Sequence, residues 1–399
     1  MAVSADNQGK KAVRHVFIIG SKGIPAAYGG FETFVDKLTE YRTDDAVQYH
    51  VACWGTSEGT FLYNGAECFT VRVRGTKPYM AVFYDLSALK YVISYLRAHR
   101  DIKDAVVYIL ACRIGPFIAP YAKEIRKLGG VIYVNPDGHE WKREKWSLPV
   151  KRYWKYSEGL MVKNADLMIC DSRSIEQYIR REYAAYHPET VYIAYGSETS
   201  GSRLPDDDPL YRGWLKKNGL RKDMYYLIVG RFVPENNFET MLREFMKCGT
   251  ERKLAVMCMP NPPLLEKLEK MLGFRADGRI VFTGSEYNQV LVRKIREGAF
   301  AYIHGHSVGG TNPSLLEALG ATEVSLLFDV GFNREVAKDA ALYWNKSEGN
   351  LSALLDRVDG MSREERMKLG EKAKKRIRTA YSWEYITEQY ERLFLGKHS

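Results

Sequence analysis

Residues 15–32 read HVFIIGSKGIPAAYGGFE. An apolar, β-branched run over 15–20 gives way to a turn with glycines at 20, 23, 29 and 30, and then to helical spacing over 31–41. Strand, glycine turn and helix in that order form the opening unit of a parallel α/β sheet. The free N–H groups of a helix start attract phosphate oxygens. Gly29 and Gly30 have no side chains, so a phosphate or sugar can come close to the backbone. Phe31 opens the expected helix and Glu32 falls in its first turn. The spacing is not GxGxxG, and no acidic residue at the right distance supports a dinucleotide fingerprint. An ordinary strand-to-helix loop is the competing reading.

The same alternation continues outward. Strand-like runs fall at 49–53, 68–73, 105–110, 131–134, 166–170 and 191–194, with helical spacing at 85–97, 117–128, 152–164 and 175–182. Residues 196–208 (GSETSGSRLPDDD) break the pattern and read as an interdomain linker. Alternation restarts with strands at 225–230, 254–258, 280–283, 300–304 and 324–328, and helices at 238–247, 264–272, 288–297 and 313–319. A charged helix over 362–380 and an amphipathic one over 383–395 end the chain. The expectation is an α/β protein of two doubly wound parallel-sheet domains, 14–197 and 209–380, facing a cleft. Residues 381–395 would return to the first domain. Ligands of such sheets bind beyond the carboxyl ends of the strands.

A second glycine turn, HSVGGTNPSLLE at 306–317, also follows a strand and precedes a helix. Gly309, Gly310, Thr311 and Asn312 offer consecutive N–H donors, with Pro313 near the first helical position. Glu317, one turn inside, can accept bonds from ribose or sugar hydroxyls, or is a solvated helix residue. In GRFVPENN (230–237), Arg231 at a strand's carboxyl end can clamp a diphosphate; a surface arginine is the plain alternative. In NPDGHEWKR (135–143), Asp137 or Glu140 can orient or deprotonate a hydroxyl, or Asp137 merely caps a turn. Two phosphate-type sites around one cleft point to sugar transfer from an activated nucleotide sugar.

Residues 141–156 (WKREKWSLPVKRYWKY) interleave basic and aromatic side chains. This suits a membrane interface or a single-stranded nucleic acid, or else a core face with solvated charges. His304 and His306 read as polar cleft lining rather than a metal pair, Asp206, Asp207 and Asp208 as solvated charge, and no GxSxG nucleophile elbow is present.

A length of 399 residues fits two domains. The net charge of +10, from 59 basic and 49 acidic residues, favours anionic partners without choosing among them. Six cysteines form no CxxC pair, which reads as buried free thiols. Residues 1–14 are polar, resemble no signal peptide and are expected to be disordered. No run of about 18 uncharged apolar residues exists to span a bilayer.

In sequence order, GSKGIPAAYGGFETFV, NPDGHEWKREKWS, IAYG (193–196), GRFVPENN, HSVGGTNPSLLEAL and FDVGFNREV are similar to motifs of one family. The chain resembles family-4 retaining glycosyltransferases of the GT-B fold, and within them the bacterial rhamnosyltransferase-like subgroup of DUF1972 type. The resemblance implies two Rossmann-like domains, acceptor first and donor second. It implies transfer from a nucleotide sugar, dTDP-L-rhamnose foremost, to a polyprenyl-diphosphate-linked saccharide in cell-surface polysaccharide synthesis. It implies no metal, no cofactor beyond the nucleotide-sugar co-substrate, no nucleic acid, and a peripheral place at the cytoplasmic face of an anionic membrane.

By the same resemblance Arg231 matches the diphosphate-binding arginine, Glu317 the second glutamate of E-x7-E, and Gly29 and Gly30 the glycine loop near the donor phosphates. Asp137 stands in place of the usual cleft histidine. Two departures stand out: Gly309 occupies the position of the first glutamate, and Asn236 that of a lysine. Arg231, Glu317 and Asp137 are thus the expected catalytic residues. Gly29, Gly30, Asn236 and Gly309 to Asn312 are expected beside the donor. A UDP-hexose transferase, a sugar-nucleotide epimerase of the same fold and a nucleic-acid-binding module are the alternatives.

Overall fold

The structure, a computed structural model, describes residues 13–27, 29–73, 75 and 79–397. The disorder expected for residues 1–14 lies outside the described residues up to 12. Arg14 belongs instead to the first strand, where it pairs with Val47.

The first sheet contains β1 (Arg14–Ile19), β2 (Val47–Gly55), β3 (Gly59–Tyr63), β4 (Ala66–Arg72), β5 (Val106–Leu110), β6 (Val131–Asn135), β7 (Leu167–Cys170) and β8 (Thr190–Tyr192). Their order is β3-β4-β2-β1-β5-β6-β7-β8, parallel except for the β3–β4 edge hairpin. The second sheet contains β9 (Tyr225–Val229), β10 (Lys253–Met257), β11 (Ile280–Phe282), β12 (Ala301–His304), β13 (Ser325–Phe328) and β14 (Leu342–Trp344). It is all parallel, in the order β11-β10-β9-β12-β13-β14. Strand order therefore reverses between β1 and β5 and again between β9 and β12. These are the switch points at which such sheets bind ligands. Both glycine turns leave from them.

Both faces of β1 are covered. Val16 and Ile18 join one apolar cluster, Phe17 and Ile19 another, so the strand reads as a continuous apolar run rather than an alternating one. The first cluster also contains Trp383, Ile386, Tyr390, Leu393 and Phe394 of the final helix, Trp383–Phe394. That helix packs on Phe34, Tyr49 and Tyr108 of the first domain. Its Glu391 accepts from the Thr43 and Asp44 backbone N–H groups and the Thr43 hydroxyl.

Two chain crossings lie side by side between the domains. The Ser197 N–H donates to the Tyr381 carbonyl at 2.7 Å. A Cβ on Gly196 would stand 2.4 Å from the Trp383 ring. The aspartates at the end of the linker lie at the surface, and two of them have partners. Asp206 pairs with Lys222 and Lys294 at 2.5 and 2.8 Å, and Asp208 caps the helix Pro209–Lys217. All six cysteines are free and buried.

Candidate active site

At the first switch point, Gly20 adopts φ +100°, and a Cβ there would lie 2.3 Å from the Leu110 carbonyl oxygen. Only glycine lets β1 and β5 end so close together. Arg113, just beyond β5, donates to the Gly20 carbonyl at 3.0 Å and faces Asp85 at 3.3 Å. Burial pushes the Asp85 carboxyl up to about 6 against the pull of Arg113. The glycine turn is tied to its own helix, Gly30–Glu40. Glu32 accepts the Lys22 N–H and Asp36 the Ala26 N–H, both at 2.7 Å. Gly29, at φ +132°, leaves room for the Glu32 carboxylate, whereas a Cβ on Gly30 would meet nothing within 4 Å. Glu32 therefore shapes the turn, and the space beside Gly30 is open.

Beyond β6, Asp137 takes a left-handed conformation (φ +60°), stabilised by its N–H on Asn135 Oδ1 and by its own Oδ1 on the Gly138 N–H, both 2.8 Å. Aspartate tolerates this geometry better than most residues. Burial raises its pKa against Arg143, whose guanidinium lies 3.7 Å away. Glu140 is committed elsewhere. Burial would raise it, but Arg143, Lys145 and the Trp146 indole hold its carboxylate below the ordinary range. Of these two acids, only Asp137 combines a place at the rim with a pKa shifted toward proton exchange.

In the second domain Arg231 follows β9 and is exposed. Its guanidinium has no hydrogen-bonded partner among the described residues, while its carbonyl accepts the Asn236 amide at 2.8 Å. Asn236 is buried and shapes this turn. His306 lies beside Gly230, where a Cβ would be 3.1 Å from the ring. Burial, with Arg231 and Arg143 adding to it, pushes His306 down to about 3, so its imidazole is neutral. The ring stacks on His304 at 4.3 Å.

Asn312 caps the helix Pro313–Ala321 through the Leu315 N–H at 3.3 Å. Glu317 pairs with the buried Arg296 at 2.6 Å, which also reaches Ser314 at 3.1 Å. The Glu317 side chain remains 36% exposed, enough to accept a further hydroxyl.

The two rims touch. A Cβ on Gly138 would stand 2.6 Å from the Gly309 Cα, and one on Gly310 2.0 Å from Asp171 Oδ1. The Thr311 hydroxyl donates to the Asp171 carbonyl, and the Arg173 N–H to Glu335 at 3.0 Å. Asp137 and residues 309–311 thus lie on facing rims, and both Arg143 of the first rim and Arg231 of the second domain lie near enough to His306 for their charges to lower its pKa. Gly29 and Gly30 sit on the first rim beyond Gly20 and Arg113. Buried polar atoms without partners gather here: Asp171 Oδ1, Glu235 Oε2, His306 Nδ1, both His304 nitrogens and Asn333 Oδ1. Such concentrations mark places where a ligand or water completes the hydrogen bonding. A cavity of about 300 Å³ lined by Glu297, Glu323, Lys374 and Arg378 lies instead at the far end of the Pro313–Ala321 helix. Among the described residues no group of three or more His, Cys, Asp or Glu is placed to hold a metal.

Asp171, Arg113, Arg296 and Glu335 were not singled out by sequence. For Asp171 and Arg113 a signal existed: each stands one to three residues past a parallel strand's carboxyl end, as Asp137 and Arg231 do. Arg296 is a helix residue and gave none; Glu335 lies within FDVGFNREV, but nothing in that motif set it apart.

Residues 13–198 match a family model described as "Domain of unknown function (DUF1972)". No curated protein matches the chain. Among solved structures, sucrose-phosphate synthase from Thermosynechococcus elongatus superposes with a TM-score of 0.73 at 16% identity, covering 96% of this chain and 99% of that one. An α,α-trehalose-phosphate synthase (UDP-forming) from Burkholderia xenovorans, solved with glucose-6-phosphate, gives 0.72 at 13%, covering 96% and 100%. HepE from Anabaena, solved with UDP, gives 0.68 at 11%, covering 96% and 100%. These likenesses span both domains, and the fold is GT-B.

Proposed function

We propose that the protein is a retaining, metal-independent glycosyltransferase. It moves a sugar from a nucleotide sugar, dTDP-L-rhamnose foremost, onto a polyprenyl-diphosphate-linked saccharide in cell-surface polysaccharide synthesis. The observation that carries this reading is the meeting of the Asp137–Gly138 turn with the second glycine turn at 309–311, beside a His306 that feels the charge of Arg231, whose guanidinium has no hydrogen-bonded partner among the described residues. A helix N-terminus and a guanidinium suit a diphosphate leaving group. Charge that develops as the sugar–phosphate bond lengthens is met by groups already in place. The departing phosphate oxygen takes the acceptor proton on the same face, which gives retention without a protein nucleophile. Asp137 orients the acceptor hydroxyl, and Glu317 holds ribose or sugar hydroxyls from its place beside Arg296.

Two observations refine the partners. Phe83, Phe117 and Leu148 are 58%, 45% and 71% exposed. They stand near the starts of Met80–Ala98, Gly115–Lys127 and Leu148–Asn164, three helices that leave the strand ends of the first sheet. Lys151 and Arg152 follow in the next turn. Apolar side chains fringed by cations suit an anionic lipid surface, which supports a peripheral enzyme at the cytoplasmic face. No helix among the described residues is long and apolar enough to cross a membrane. A UDP-hexose donor is the second reading, favoured by the UDP bound to HepE and by the UDP-forming relative.

The test is incubation with a panel of dTDP- and UDP-sugars and a lipid-linked monosaccharide, with product mass as readout. One donor should yield a product one sugar heavier. Arg231→Ala and Glu317→Ala should each lower kcat/KM by at least about 100-fold, the loss of one preorganised charge contact, while the protein stays folded. Near-normal turnover in either variant overturns the assignment of that residue. Donor consumption without acceptor overturns the transferase reading.

A further inference from the structure

Asp171 is the first residue beyond β7 and is only 3% exposed. Its carbonyl holds the Thr311 hydroxyl, but its side-chain Oδ1 has no hydrogen-bond partner. The carboxylate lies directly against the second glycine turn, so that a Cβ on Gly310 would stand 2.0 and 2.6 Å from its two oxygens. A charge at such a place normally has a cation beside it. Here the charged groups that act on it directly are acids, while the nearest cations face those acids instead: Arg143 lies 3.7 Å from Asp137, and Arg173 and Arg376 act on Glu335. Asp137 faces it from the turn after β6, and Glu335 from the helix Gly331–Ala337. Tyr195 faces it from beyond β8, Tyr108 from β5, Tyr390 from the final helix and Cys170 from its own strand. Burial first, and then the negative charges of Asp137 and Glu335, push the Asp171 carboxyl up to about 8. It keeps its proton at neutral pH.

A protonated carboxyl is a hydrogen-bond donor, whereas a carboxylate only accepts and repels phosphate oxygens. We propose that Asp171 is a specificity-determining member of the anion site: as the neutral acid it donates to a diphosphate oxygen held by the amides of 309–312, and as the carboxylate it drives that anion out. The inference rests on the donor-site reading above and adds a residue and a pH limit to it. It also accounts for glycine at 310, where any side chain would displace the carboxyl from the amides.

The test is calorimetric titration of the full chain with UDP and with dTDP between pH 6 and 9, for wild type and Asp171→Asn. The amide donates but does not ionise. Titration of the ligand's own phosphate, near pH 6, is common to both proteins and cancels in the ratio of their Kd values. That ratio, wild type over variant, should stay constant up to about pH 7 and rise toward tenfold per pH unit above 8. Asp171→Ala, which loses the donor as well as the charge, should bind about fivefold more weakly than Asp171→Asn at pH 6.5, the worth of one neutral hydrogen bond. It should share the variant's profile. A flat ratio with measurable binding throughout overturns the inference and leaves the donor-site reading standing. Loss of binding in a folded Asp171→Asn at pH 6 also overturns it. If neither nucleotide binds wild type at any pH, the donor-site reading falls and the inference with it.

Discussion

A buried acid that keeps its proton carries a stability cost whose sign is fixed by linkage. Unfolded, Asp171 ionises near 3.9; folded, it does so at about 8. Between these values the folded state binds more protons than the unfolded one, so stability falls as pH rises through the window and levels off above 8. The contribution is fully present only below the unfolded value. Asp171→Asn removes the titration. Urea midpoints of the two proteins should therefore coincide most closely near pH 4 and separate up to pH 8, with the variant the more stable by up to about 5 kcal/mol. Parallel profiles would show that Asp171 ionises normally in the fold. The residue also illustrates what single positions reveal in a sequence. Arg231, Asp137 and Glu317 stand inside recognisable motifs. Asp171 sits in DSRS, which reads as an ordinary helix cap, and Ser172 does cap Ile175. Its role comes from Gly310, which is 139 positions away in sequence and adjacent only after two domains fold and dock.

Among whole elements, the strands and helices that bound the cleft were legible from their apolar runs, with a glycine or proline start at Gly30–Glu40, Gly115–Lys127, Leu148–Asn164 and Pro313–Ala321. The edge strand β3 was not: its first four residues are exposed, so it has no buried face to set a period. The three-residue strand β14 was not read from the sequence either, although β8 and β11, equally short, were. The helix Pro209–Lys217 hides at the end of the polar linker, although Asp208 before Pro209 is a start signal in itself. Gly331–Ala337 was visible only as a motif, and it supplies Glu335 to the seam. The seam depends on turns that meet backbone to backbone. A Cβ on Gly138 would lie 2.6 Å from the Gly309 Cα, and no side chain can swing away to relieve it. Gly138→Ala should separate the rims, lower stability by about 1–3 kcal/mol as overpacking does, and weaken nucleotide binding. Gly30→Ala, with open space around its Cβ, should leave stability nearly unchanged. Thermal melts of both variants decide this, and equal losses would mean that the seam does not exist in solution.

For the molecule as a whole, the stretch that matches the family model and the unit that folds are different objects. The match ends at residue 198, while the core beneath the first sheet is completed by Trp383–Phe394. Trp383, Ile386, Tyr390, Leu393 and Phe394 are each at most 6% exposed. Buried side chains of this size contribute roughly 1.5–3 kcal/mol apiece, so the helix supplies about 7–15 kcal/mol. That equals the entire stability of a typical domain, about 5–15 kcal/mol. Glu391 adds three hydrogen bonds that no residue of the first 198 replaces. A fragment of residues 13–198 should therefore fail to fold cooperatively, exposing Phe34, Tyr49 and Tyr108 and binding a hydrophobic dye. Joining residues 381–397 to it through a flexible linker should restore a sharp urea transition. The crossing at Gly196 and Tyr381 explains why the two segments travel together. The same helix that completes the acceptor-side core is clamped to the linker, so any hinge motion between the sheets must turn about that pair of strands of chain. A fragment ending at 198 that unfolds with the same midpoint as the tethered form would show that the helix is an attachment rather than part of the domain.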